Sequence, residues 1–207
     1  MLSIYGRALK PDAELNTIIE LTKGYEEKTL KKWQRISSAD SGNLYVILNG
    51  EMEFRRRSDE LCMFPLRSNM IFGLGNIFYQ TDQIIGVACA DTVVRIVPKE
   101  AFLQLIAHHQ CWLELTKVLS WYICILNKRD DMLVARSAYT IIREFLIEIN
   151  ELMALYKRDI NVYDYIQEYT NLARSTIIKI LSELKKGQYV VIEKGRLVKL
   201  NTLPEKY

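Results

Sequence analysis

Apolar positions along the chain follow two periods, helical at both ends and two-residue in between. Through residues 1–32 they recur at helical spacing, with Leu15, Ile18, Ile19 and Leu21 the expected buried set. From Trp33 the period falls to two. Residues 44–48, Asn49-Gly50 and residues 51–54 predict a strand, a type I′ turn and a returning strand, because Asn-Gly supplies the positive backbone angles that a two-residue hairpin needs. Further strands are expected over 61–66, 71–78, 84–88 and 92–97, punctuated by glycine and closed by Pro98. That spacing predicts an antiparallel sandwich or roll. Residues 99–106 then predict a short helix.

A long helix is expected over 111–136. Leu115, Val118, Tyr122, Ile125 and Met132 form a near-heptad row interrupted by Arg129, and Leu119, Ile123, Leu126 and Leu133 form a second row. A helix that is apolar on two faces needs two partners. The first row, with Arg129, is assigned to a second copy of the chain and the second row to the helix's own subunit; the other reading is a helix buried at the centre of a monomer.

Beyond it, residues 162–169 predict a helix, Thr170-Asn171 a tight turn, and the stretch from Asn171 a basic helix with Asn171 as its cap. Ile177, Ile180, Leu181 and Leu184 fall on one face. Ser175, Lys179 and Ser182 fall on the other, with Arg174 on the flank of the first turn. Lys185, Lys186 and Gly187 end the helix, the glycine as a left-handed cap. Residues 189–193, Lys194-Gly195 and residues 196–200 then predict strand, turn and strand. Alone, the basic helix reads equally as a surface helix with solvated charges; in this order it is the second helix of a winged helix-turn-helix. The major groove admits such a helix, and its base edges accept arginine, lysine and hydroxyl donors. The expected DNA contacts are Arg174 and Lys179 to bases or phosphates, Ser175 to a base edge, Thr176 or Ser182 to a phosphate, and Lys194 and Arg196 to the backbone.

Charge sharpens this assignment. The 207 residues carry a formal net charge of +3. From Asn171 onward there are eight Lys and Arg against three Asp and Glu, so the excess sits where phosphate neutralisation would supply affinity. Arg55, Arg56 and Arg57 read instead as a solvated strand end. The longest apolar run, residues 118–126, falls short of the ~20 residues that cross a bilayer, and the first residues do not open a signal peptide, so a cytoplasmic protein without a membrane partner is expected. Cys62, Cys89, Cys111 and Cys124 form no paired motif. They read as buried thiols; a disulfide between subunits through Cys111 or Cys124 is the alternative. The only histidines, His108 and His109, offer no metal constellation, and no nucleotide-binding, hydrolase or metalloprotease motif is present. Neither a cofactor nor catalysis is expected.

The order of roll, long helix, helix-turn-helix and wing resembles the CRP/FNR family of bacterial transcription regulators, over about residues 25–200. The resemblance is carried by Leu44-Tyr-Val-Ile-Leu-Asn-Gly50, by Gly73 within Ile71-Phe-Gly-Leu-Gly-Asn-Ile-Phe78, and by Ala173-Arg-Ser-Thr-Ile-Ile-Lys-Ile-Leu181. It implies an α+β chain: a cyclic-nucleotide-binding-like β-roll over 1–108, a dimerisation helix over 109–136 and a winged helix-turn-helix over 137–207. It also implies double-stranded DNA and a second copy of the chain as partners, with RNA polymerase a further candidate. Departures matter here. Gly73-Leu74 stands where the family's nucleotide binders have Gly-Glu, and Ile84-Ile85 where they have Arg-Ser or Arg-Thr, so cyclic AMP is not expected at the usual site. Ser175 replaces an acidic base reader and Ala173 a capping serine. The rival reading is a protein-interaction module with a degenerate sensor and no specific DNA binding.

Overall fold

A computed structural model describes residues 10–156 and 160–205. The chain divides into two compact units, with the boundary between Ile125 and Leu126.

The first unit is built on eight strands in two antiparallel sheets. Helix α1 (Asp12–Leu21) turns Leu15, Ile18 and Ile19 inward, as their spacing requires, and leaves Leu21 half-buried. Strands β1 (Glu27–Leu30), β3 (Asn43–Asn49), β6 (Met70–Phe72) and β8 (Thr92–Pro98) form one sheet in the order β1-β8-β3-β6. Strands β2 (Arg35–Ile36), β4 (Glu51–Arg56), β5 (Cys62–Arg67) and β7 (Ile84–Ala88) form the other, in the order β2-β7-β4-β5. Phe54 of β4 meets Phe72 of β6 edge-on at 5.0 Å between ring centres, which joins the two sheets across their core.

Two sequence expectations change. Strands β3 and β4 are not a hairpin: β3 pairs with β6 and β8, and β4 with β5 and β7. Asn49-Gly50 is the corner at which the chain leaves one sheet for the other. Gly50 has φ +97° there, and a Cβ would lie 2.8 Å from the Thr92 backbone, so close approach as well as turning demands glycine. The strand expected over 71–78 stops at Phe72. Gly73, at φ +99°, turns the chain into a short 3-10 turn, Leu74–Asn76, which fills the space beside the short helix α2 (Ser38–Ser41).

Helices α3 (Lys99–His108) and α4 (Trp112–Leu133) follow. On α4 the structure departs from the expected assignment of the two apolar rows. Leu115, Val118, Tyr122 and Ile125 are buried within the chain itself. Tyr122 donates its hydroxyl to the Ile71 carbonyl at 3.0 Å and packs its ring on Phe64 at 5.8 Å. Arg129 and Met132 are half-buried. Ile123 and Leu126, expected to pack on their own subunit, are 57% and 39% exposed, and Leu119 is half-buried. A heptad shows that two rows exist but not which faces home. Here the row carrying Tyr122 can satisfy a polar tip on the roll's backbone and is the one drawn in.

The second unit contains α5 (Ala138–Tyr156), α6 (Val162–Tyr169), α7 (Arg174–Lys186) and a two-stranded sheet of β9 (Val190–Glu193) and β10 (Arg196–Leu200). Phe145, Leu146 and Ile149 of α5, Val162 and Ile166 of α6, and Ile177, Leu181 and Leu184 of α7 make its core. Fully burying each such side chain is worth about 1.5–3 kcal/mol.

Candidate nucleic-acid interface

Helix α6 starts at a built cap. Asn161 Oδ1 accepts from the Tyr163 and Asp164 amides at 3.0 and 3.3 Å. The turn after it is held by Thr170, whose hydroxyl donates to the Ile166 carbonyl at 2.7 Å and accepts from the Leu172 amide. Asn171 is not the cap of α7. That helix begins three residues later, at Arg174, with Ala173 in the cap position and no side chain serving it. Gly187 is not a left-handed cap either. It has φ −74° and gives room to the Tyr189 ring, 2.6 Å from where its Cβ would stand, while Gln188 takes the left-handed angle.

The two faces of α7 separate as their spacing requires. Ile177, Leu181 and Leu184 are buried and Ile180 is half-buried. Arg174, Ser175, Lys179 and Ser182 are exposed on the outward side, and Thr176 is half-buried. Ile178 also lies outward, 48% exposed among these polar groups; its spacing from Arg174 and Ser182, four residues each way, was the signal that could have placed it.

The wing is fastened to the cap of α6. Lys194 and Gly195 make the turn between β9 and β10, at φ +48° and +84°. The Gly195 carbonyl accepts from the Val162 amide at 2.8 Å, and a Cβ on Gly195 would stand 2.7 Å from the Asn161 amide nitrogen. Lys194 and Arg196 are exposed, as is Lys199, which an irregularity between Leu197 and Lys199 brings opposite Val191.

Arg174 does not hang free. Its Nη1 donates to Asp164 Oδ1 at 3.0 Å and to Gln167 Oε1 at 2.7 Å, both on α6. On α5, Glu148 is buried with Oε1 accepting from the Tyr165 hydroxyl at 3.3 Å and Oε2 without a partner. Burial, with Glu151 nearby, pushes its pKa up to about 8 despite the Tyr165 bond.

Each arginine of the run in the first unit meets a carboxylate. Arg55 pairs with Glu53 at 2.5 Å, Arg56 with Asp59, and Arg57 with Asp40 at 2.7 Å. The Arg57 guanidinium holds the Asp40 carboxyl below the usual carboxylate range. Arg57 also lines a cleft of about 300 Å³ with Arg35, Ser37, Asp40 and Ile85. Leu74 and Ile85 are buried apolar side chains. Cys62 and Cys111 are buried, and burial first, then Glu53 and Glu51, pushes the Cys89 thiol up. Cys124 is exposed, against the expectation of a buried thiol. His108 and His109 are exposed, and no cluster that could hold a metal occurs among the described residues.

Fold and site together give an antiparallel β-roll, a long helix and a C-terminal winged helix-turn-helix, the architecture found in CRP/FNR-type regulators. Residues 138–205 match the family described as winged helix-turn-helix DNA binding. The chain is 29% identical over 177 residues to the inhibitor of hydrogen peroxide resistance of Escherichia coli K12, spanning 84% of this chain and 85% of that one. Among solved structures, the fold matches the c-di-GMP responsive global regulator CLP of Xanthomonas campestris with a TM-score of 0.71 at 12% identity, covering 90% of this chain and all of that one. It also matches a regulator of the CRP/FNR family from Eubacterium rectale with a TM-score of 0.68 at 15% identity, covering 89% and 90%.

Proposed function

We propose that this protein is a sequence-specific transcription regulator that binds duplex DNA as a homodimer in the cytosol. The observation that carries the proposal is the outward face of α7, where Arg174, Ser175, Lys179 and Ser182 stand exposed over a buried Ile177-Leu181-Leu184 floor. In this reading α7 lies in the major groove. Arg174 and Lys179 read bases or phosphates, Ser175 a base edge, Thr176 or Ser182 a phosphate, and Lys194 and Arg196 the backbone across the wing.

The homodimer is proposed through the outward row of α4, Leu119, Ile123 and Leu126, in place of the row that the chain buries for itself. Exposed apolar residues repeating along a helix mark a partner's surface, and a second copy brings the same row. Domain limits of 1–108, 109–136 and 137–207 are proposed along with this division of labour.

The protein acts without cyclic AMP at the family's site. Buried Leu74 and Ile85 offer a cyclic phosphate neither charge nor hydrogen bond, and Arg57, which lines a cleft with Ile85, is bonded to Asp40 and Ser37. RNA polymerase is the further partner such a regulator would meet. Following the Escherichia coli relative, the genes under its control are proposed to be ones that set hydrogen peroxide resistance.

The test is fluorescence anisotropy on a duplex selected by the protein from random sequence. Arg174→Ala is expected to lose about 1–3 kcal/mol of specific binding; unchanged affinity removes Arg174 from the interface.

A further inference from the structure

Arg174 is the longest reader on the outward face of α7, and its guanidinium is already oriented before any ligand arrives. Asp164 and Gln167 stand three residues apart on α6, so they share a face. Both accept from the same nitrogen, Nη1, at 3.0 and 2.7 Å. That nitrogen has two N–H groups, and the pair occupies them both. The Nε and Nη2 edge remains for other partners.

Guanine offers O6 and N7 side by side in the major groove, matched by two adjacent N–H donors of one planar fork. The open Nε–Nη2 edge is such a fork. The ion pair itself is worth little to folding, because the side chains of Arg174 and Asp164 are 54% and 60% exposed. Its consequence is orientation. The anchor is also firm, since the cap of Asn161 fixes the first turn of α6, where Asp164 sits. A second consequence follows from sign: a carboxylate beside the reader repels phosphate and lowers affinity for DNA that offers no matching base.

We propose that Asp164 and Gln167 are positioning residues that aim the Nε–Nη2 edge of Arg174 at a guanine while weakening binding to unmatched DNA. The proposal rests on the DNA-binding reading above and assigns its specificity to two side chains outside the recognition helix.

The experiment uses the full chain and a duplex that the wild-type protein selects from random sequence, with every base pair then replaced in turn. The base pair whose replacement costs wild type but not Arg174→Ala is the one Arg174 reads. Asp164→Ala with Gln167→Met is expected to lose about tenfold of the discrimination at that base pair alone and to bind a scrambled duplex more tightly. Asp164→Asn keeps an acceptor oxygen and is expected to retain most of the discrimination, a rescue that general damage to α6 would not give. Should the double variant fold poorly by circular dichroism, Gln167→Met carries the test with a smaller loss at the same base pair. Wild-type discrimination in the double variant, or a loss spread evenly over all base pairs, overturns the positioning role. Selection of no sequence by wild type takes down the DNA-binding reading and this proposal with it, whereas selection followed by an unaffected double variant removes only the proposal.

Discussion

Ile178 is the residue whose placement asks most for a reason. It stands 48% exposed in a face otherwise made of Arg174, Ser175, Lys179 and Ser182, where water gives an isoleucine nothing. The apolar feature of the major groove is the thymine methyl group. Replacing thymines of the selected duplex one by one with deoxyuridine is therefore expected to weaken wild type at one position by about 0.8 kcal/mol, roughly fourfold, and to leave Ile178→Ala indifferent there. The same penalty in both proteins would contradict the contact. At this scale the sequence was legible where period decides, as with Ile177, Leu181 and Leu184. It was not legible where a neighbour decides. Gly187 is glycine because the Tyr189 ring fills the place of a Cβ, and Asn171 is no cap because Thr170 already holds the turn.

Among the elements, α5 carries a tension that no pattern in the sequence announced. Its apolar run places Glu148 in the interior, with one oxygen bonded to Tyr165 and the other bare. An ordinary glutamate loses its proton near 4.5, and burial raises Glu148 to about 8. Between those values the unfolded chain is ionised and the folded chain is not, so this residue's contribution to stability is greatest below 4.5 and is lost as pH rises through about 8. Glu148→Gln is expected to melt higher than wild type at pH 8 and to show a smaller difference between pH 5 and pH 8; parallel melting curves across that range would refute the assignment. Element identities along the rest of the chain were readable, because a period of two or of 3.6 survives in any fold that buries one face. Their pairing was not. Asn49-Gly50 has hairpin chemistry, yet β3 and β4 belong to different sheets because β3 pairs with β6 and β8 while β4 pairs with β5 and β7.

For the whole molecule the question is what covers α4. The spacing predicts two apolar rows without fixing which faces home: Leu115, Val118, Tyr122 and Ile125 are internal, and Ile123 and Leu126 look outward. In the proposed homodimer, a charged group on the outward row should therefore separate the two subunits without disturbing either. Ile123→Glu is expected to convert a dimer to a monomer in analytical ultracentrifugation, with an unchanged circular dichroism spectrum and loss of tight operator binding. A dimer that survives the substitution would place the contact elsewhere.

The central claim is that the outward face of α7 reads duplex DNA, and the most direct measurement is the salt dependence of binding for wild type and Arg174→Ala on the selected duplex and on its scramble. Affinity for both duplexes is expected to fall steeply with salt, with a clear preference for the selected one, and Arg174→Ala is expected to lose much of that preference. Binding that ignores both salt and sequence, or no binding to any duplex at low ionic strength, would contradict the claim.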